Sequence, residues 1–227
     1  MSVPVPSRQR ILDSIRAATG DLPARNQAGE YPDVAAQPFT HLRRGALQRE
    51  ACLELMIARL REYDAEVVES SVEKIQATIA TQLAASGKHI FVAPQGVPAD
   101  WLATGFDWKI DRNLAIDDIE HADGVLTAAA CGVAESGTIV LHHSAAEGRR
   151  VLTLLPDWHL CVLKASQVVE TLPEYFARCQ TRPVLVTTIS GPSATADIEM
   201  TRIKGVHGPR FMNVILVRDD RSKTRLN

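Results

Sequence analysis

The sequence predicts an α/β fold, and three observations carry that prediction. Strand-like, helix-like and strand-like stretches alternate between Ala65 and Ala93, the order of a parallel sheet with crossover helices. From Gly124 onward, apolar runs of strand length recur between turns rich in glycine and proline. Hydrophobic residues make up 45% of the 227 residues, enough to fill one sizeable core.

In chain order, Ile11, Leu12 and Ile15 fall at helical spacing after Ser7, and Gly20 ends that helix. Asp21–Thr40 holds Pro23, Gly29, Pro32 and Pro38 with few apolar residues and reads as an extended arm. Residues 1–45 therefore form a helix and arm, a tether suited to packing on a second copy in a homo-oligomer, and residues 46–227 form the α/β domain. Ala46–Tyr63 is a helix, with Leu47, Cys52, Leu55, Met56, Arg59 and Leu60 recurring along one side at helical spacing. Ala65–Glu69 is a strand. Ser71 caps a helix that opens at Lys74-Ile75, runs through Leu83 and stops at Gly87. His89–Ala93 is a buried strand ending at Pro94. Further strands are expected at Gly124–Ala130, Thr138–His142, Leu160–Lys164, Val184–Ile189 and Phe211–Val217, with helices at Leu172–Cys179 and Thr195–Ile203.

A net charge of −2 offers no global field for nucleic acid or an acidic membrane surface. No apolar run approaches the roughly 20 residues of a membrane-spanning helix, and the start of the chain lacks a signal-peptide pattern. A cytoplasmic protein is expected. Cys52, Cys131, Cys161 and Cys179 form no Cys-x-x-Cys pair, so they read as buried thiols rather than zinc or iron–sulfur ligands. His142, His143, His159 and His207 lack metal-binding helical spacing. No Gly-x-Gly-x-x-Gly dinucleotide fingerprint is present. No metal and no cofactor are expected.

Five clusters carry candidate chemistry. Glu135-Ser136-Gly137-Thr138 lies in a turn between apolar strands. Glu135 is a candidate base, nucleophile or ligand contact there, or part of a turn that is merely polar. Arg149 and Arg150 follow Gly148 and suit bidentate bonds to a carboxylate or phosphate, or form a solvated basic turn. His159 begins an apolar strand and is either a ligand contact or a hydrogen-bonded structural residue. Ser190-Gly191-Pro192-Ser193-Ala194-Thr195 precedes a helix whose capped N-terminus also suits an anion, with Asp197 at the helix start. His207, between Gly205 and Pro209, is a candidate acid or base in a tight loop.

Taken in order, Glu135-Ser136-Gly137-Thr138, Gly148-Arg149-Arg150, Leu155-Pro156 with His159, Ser190-Gly191-Pro192-Ser193 with Thr195–Glu199, and Gly205–Pro209 resemble the LUD domain of lactate-utilisation proteins, of the short protein C (YkgG-like) type. The resemblance is clearest from Gly124 to Val217. It implies the sheet class of ribose-5-phosphate isomerase and the coenzyme A transferases, flanked by helices. It also implies a part in oxidising L-lactate to pyruvate beside iron–sulfur companion proteins, with no cluster in this chain. Coenzyme A transferases of that fold use a glutamate in a Glu-x-Gly turn, the form of Glu135-Ser136-Gly137 here; this is analogy at fold level.

The leading expectation is a non-redox subunit binding a small anionic metabolite. Arg149, Arg150, Ser190, Gly191, Ser193 and Thr195 would hold it, Ser136, Gly137, Thr138 and His159 would line the site, and Glu135 and His207 would be its catalytic groups. Two alternatives remain: a self-sufficient acyl- or phospho-metabolite enzyme using Glu135, and a pure assembly protein. The leading reading requires Glu135, Arg149, Arg150, Ser193, Thr195 and His207 to share one cleft at the carboxyl ends of the strands.

Overall fold

Strands apolar at nearly every position need cover on both faces. The computed structural model describes residues 7–19, 45–179, 183, 185–190 and 208–219. The chain divides into two units, Met1–His41 and Leu42–Asn227. The first contributes helix α1 (Ser7–Thr19), with Ile11 and Ile15 exposed and Leu12 half-buried. The expected arm at Asp21–Thr40 and the expected helix at Thr195–Ile203 lie outside the described residues.

In the second unit the strands are β1 (Glu66–Ser71), β2 (Ile90–Pro94), β3 (Asp107–Asp111), β4 (Gly124–Ala128), β5 (Cys131–Val133), β6 (Thr138–Leu141), β7 (Trp158–Lys164), β8 (Val168–Val169), β9 (Thr187–Ile189) and β10 (Phe211–Arg218). The helices are α2 (Arg49–Glu62), α3 (Ile75–Ser86), α4 (Ile116–Glu120) and α5 (Leu172–Arg178). Six strands form an all-parallel sheet in the order β1-β10-β7-β4-β2-β3. A smaller sheet, β8-β5-β6-β9, is mostly antiparallel. The fold is α/β, a parallel central sheet flanked by helices.

Side chains alternate across the central sheet. On one face Phe91, Leu126, Leu160, Val162 and Ile215 pack under Ile75, Ile79 and Leu83 of α3. On the other, Val67, Leu163, Val214 and Leu216 pack under α2 and under Ile139 and Leu141 of the second sheet. Beside them Val92 and Val125 meet Ile119 and Leu152. Each such side chain, fully buried, contributes about 1.5–3 kcal/mol. Helix α2 presents Cys52, Leu53, Met56, Ile57 and Leu60, an apolar stripe at helical spacing. It begins at Arg49 rather than Ala46, and Leu47 stays largely exposed. Strand β3 and helix α4 were not legible in the sequence. In β3, Asp107, Lys109 and Asp111 interrupt the apolar pattern because it is an edge strand, where charge discourages further pairing.

The site is positioned at β2, which lies between β3 and β4. After β2 the chain turns to the α3 face, where Val97 and Trp101 pack. After β4 it turns to the opposite face and enters the second sheet through Ala129 and Ala134. This is a switch point, and a crevice opens beyond the carboxyl ends of such strands. The loop after β6 lies across it. Gly96 N–H donates to Ala145 O at 2.8 Å, and Ala128 N–H donates to Ala146 O at 3.0 Å. Two glycines allow this approach. A Cβ on Gly96 would lie 2.5 Å from the carbonyl carbon of Ala145. Gly148 has φ +74°, and its Cβ would lie 2.7 Å from Pro94 and from Leu152. Gly96→Ala and Gly148→Ala should each destabilise the protein by about 1–3 kcal/mol in urea unfolding. A loss below about 0.5 kcal/mol would show that the loop lifts freely.

Candidate functional site

The crevice is lined by Pro94 at the end of β2 with Gln95 and Gly96 beyond it, by Asp111 at the end of β3, by His143–Ala145 and Gly148–Arg150 of the crossing loop, and by Leu185 before β9, around a volume of about 650 Å³. The loop is stiffened from within. The carboxylate of Glu147, 5% exposed, accepts hydrogen bonds from His142 N–H and from the Ser144 hydroxyl. His143 sits at φ 57°. Its Nδ1 donates to the Gly148 carbonyl at 2.8 Å, and its Nε2 shares a 2.7 Å hydrogen bond with the Thr187 hydroxyl.

The two arginines differ in kind. Arg149 forks onto Asp111, with Nε to Oδ2 at 2.8 Å and Nη2 to Oδ1 at 2.7 Å, and Nη2 also reaches the Leu114 carbonyl. Asp111 further accepts from the N–H groups of Asn113 and Leu114 at 3.0 Å. Burial alone would raise the Asp111 carboxyl. The bonds from Arg149 and from the two backbone amides outweigh it and hold the group below the usual carboxylate range. The same pairing raises Arg149. Arg150 is half-buried and donates to Thr153 Oγ1 at 3.0 Å; among the described residues it faces no carboxylate. Burial pushes its pKa down, as expected of a cation stripped of water without a counter-ion.

The expected single cleft is corrected by this geometry. Glu135, Ser136 and Gly137 form the turn between β5 and β6, and Gly137 lies against Arg59 and Tyr63 at the C-terminal end of α2. That end of α2 leads directly into β1, so the turn sits at the amino ends of the parallel strands. Arg149 and Arg150 sit at the carboxyl ends, beyond the far end of β6. Strand β6 with its flanks spans roughly 16 Å between Gly137 and His142. Glu135 is exposed. Ser136 Oγ and Thr138 Oγ1 share a hydrogen bond of 2.7 Å and stay with that turn. Ser190 follows β9, whose Ile189 pairs with Ile139, so Ser190 is level with Thr138 and is also remote from the arginines. Gly191, Ser193, Thr195 and His207 lie outside the described residues.

His159 is 1% exposed and faces the interior. Its Nε2 shares a 2.8 Å hydrogen bond with Thr127 Oγ1, and its Nδ1 has no partner among the described residues. Burial drives its pKa down to about 4, so it is a neutral core residue. Cys52, Cys131 and Cys161 are buried free thiols, and Cys179 is half-buried. Among the described residues no group of three or more His, Cys, Asp and Glu side chains is arranged to hold a metal ion, and no helix is long and apolar enough to cross a membrane. Sequence reasoning missed Asp111. Its one local signal was Asp111-Arg112-Asn113, an Asx-type turn in which Asn113 takes φ 90°. Its partnership with Arg149, 38 residues on, leaves no periodic trace.

Comparison with known proteins now adds to the geometry. The model of the LUD domain matches residues 49–217. The chain belongs to the LUD domain family. Lactate utilization protein C of Deinococcus radiodurans is 38% identical over 177 residues, 75% of this chain and 82% of that one. Lactate utilization protein C of Bacillus subtilis is 35% identical over 131 residues, covering 53% of this LUD chain and 54% of the relative. A solved structure, a DUF162 family protein from Deinococcus radiodurans, aligns with TM-score 0.65 and 35% identity over 76% of this chain and 99% of that one. The matched region contains both the crevice and the Glu135 turn.

The burial of His159 sets a pH dependence for this LUD domain. Unfolded, the imidazole titrates near 6.5; folded, near 4. Between those values the unfolded chain binds the proton and the folded one does not, so stability present above pH 6.5 is lost as pH falls toward 4. The component should reach about 3 kcal/mol. It should vanish from the pH profile of His159→Gln measured by denaturant unfolding. Parallel profiles over that window would show that His159 takes up its proton inside the fold.

Proposed function

We propose that this chain is the non-redox subunit of a lactate-utilisation system and holds a small anion through Arg150 in the carboxyl-end crevice. The single observation that carries the site is Arg150 itself, a half-buried guanidinium beside a crevice with no carboxylate opposite it among the described residues. A desolvated cation gains most from a charge-assisted bond to an incoming anion. The relatives named lactate utilization protein C support lactate, or the pyruvate made from it, as the metabolite concerned. With the cysteines dispersed and mostly buried, the electrons of lactate oxidation are assigned to iron–sulfur companion proteins. Arg149 is committed to Asp111 and serves to position the loop. Glu135, exposed in a turn remote from the crevice, draws no support as nucleophile from this geometry.

Calorimetric titration with L-lactate and pyruvate tests the site. Arg150→Ala should weaken binding by roughly tenfold or more and leave unfolding stability within about 0.5 kcal/mol, since the side chain is half exposed. In a strain whose lactate oxidation depends on this gene, the same variant should fail to restore growth on lactate while growth on glucose is normal. Undiminished binding by Arg150→Ala would overturn the assignment of the site.

A further inference from the structure

We propose that the crevice selects singly charged anions, monocarboxylates over dicarboxylates and phosphate, because Asp111 cancels Arg149 and leaves Arg150 as the one unbalanced charge among the described side chains that line it. The inference rests on the crevice being the anion site, and it names the class of anion that site takes. The charged side chains lining it among the described residues are Asp111, Arg149 and Arg150. Asp111 has a side chain only 4% exposed and faces Arg149 at 2.7 Å, so the two charges balance one another. The remaining walls are Pro94, Gly96, Ala145, Gly148 and Leu185, with the Gln95 amide and the Ser144 hydroxyl as neutral polar groups; that hydroxyl is already donated to Glu147. His143 also lines the crevice, with both ring nitrogens engaged by Gly148 and Thr187.

One net positive charge balances one carboxylate. A second negative charge on the ligand would find no unbalanced cation to meet it and would be partly dehydrated without a counter-charge. The volume of about 650 Å³ exceeds what a three-carbon acid fills, so size does not exclude larger or doubly charged ligands. Discrimination on this reading is electrostatic, and it can be changed without altering the shape of the crevice.

Calorimetry at pH 8, above the ordinary titration range of an imidazole, would compare L-lactate, L-malate and inorganic phosphate. Malate is a 2-hydroxy acid with one carboxylate more than lactate. The wild-type chain should bind lactate more tightly than malate or phosphate. Asp111→Asn frees Arg149, makes the crevice doubly positive and should shift the ratio of malate to lactate affinity by roughly tenfold toward malate. Arg149→Gln leaves Asp111 unpaired beside Arg150, cancels the site and should weaken lactate by a similar factor. The double variant Asp111→Asn/Arg149→Gln restores one net charge and should recover the wild-type preference, which a merely structural role for the pair would not produce. If Asp111→Asn fails to fold, the contrast between Arg149→Gln and the double variant decides the matter. Equal binding of malate and lactate by the wild type, or ratios unmoved by these variants, overturns the selectivity while leaving the site in place. Absence of binding by any of the three anions overturns both.

Discussion

The backbone groups at the carboxyl ends of β2 and β4 are the constraint on which the rest of this structure depends. Two adjacent parallel strands end there, and the chain leaves them toward opposite faces of the sheet. Their last N–H and C=O groups therefore lose their natural continuation. Buried polar groups must still be paired. The loop after β6 supplies the partners by laying Ala145 and Ala146 across the gap, to Gly96 and to Ala128. Everything else in the loop serves that placement. Glu147 turns inward and takes the N–H of His142 and the hydroxyl of Ser144. Gly148 provides the left-handed turn that brings the chain down against Pro94 and Leu152. Arg149 then ties the loop to the end of β3 through Asp111.

Fixed in this way to three strand ends, the loop holds Arg150 with little freedom left to lose. A binding group immobilised before its ligand arrives avoids much of the ordering cost of association. The position also sets the strength of its field. Arg150 follows the tether of Arg149 directly and leads into Leu152, which is fully buried against Val92, Ile119 and Val125. Its guanidinium rests on Thr153 and lines the crevice, and partial burial reduces its screening by water.

The sheet, the helices and the loops that bear function were legible in the sequence because each is a local pattern. The stripe of α2, the glycine stop after α3, and the apolar runs of β2, β4, β7 and β10 all follow from periodicity within a dozen residues. β3 escaped because an edge strand needs charge where a central strand needs apolar side chains, and α4 because five residues hold too little pattern. The site was half legible for a related reason. Gly148-Arg149-Arg150 stood out as a basic turn suited to an anion or to solvent, but which arginine is left without a carboxylate depends on Asp111, a contact made across the fold. The Glu135 turn and the Arg149 turn were assigned to one cleft because both join apolar strands. A strand of four residues separates them, and a loop reached by running up such a strand stands at the opposite end of the sheet from the one that began it.

Burial and function part company here for a physical reason. His159 and Glu147 are ionisable side chains deeply enclosed in the fold, and neither lines the crevice. His159 is kept neutral by the interior and shares its one bond with Thr127; Glu147 spends its oxygens on the loop that contains it. A group that recognises a ligand needs the opposite combination: enough burial to make its charge costly, enough exposure to be reached, and bonding capacity not already used. Arg149 is exposed enough, but its charge is balanced by Asp111. Arg150 keeps part of its guanidinium uncommitted at the crevice wall among the described residues. The difference between these neighbours lies in the partner each found after folding, which is why a pair of identical residues in the sequence becomes one clamp and one partly uncommitted cation in the structure.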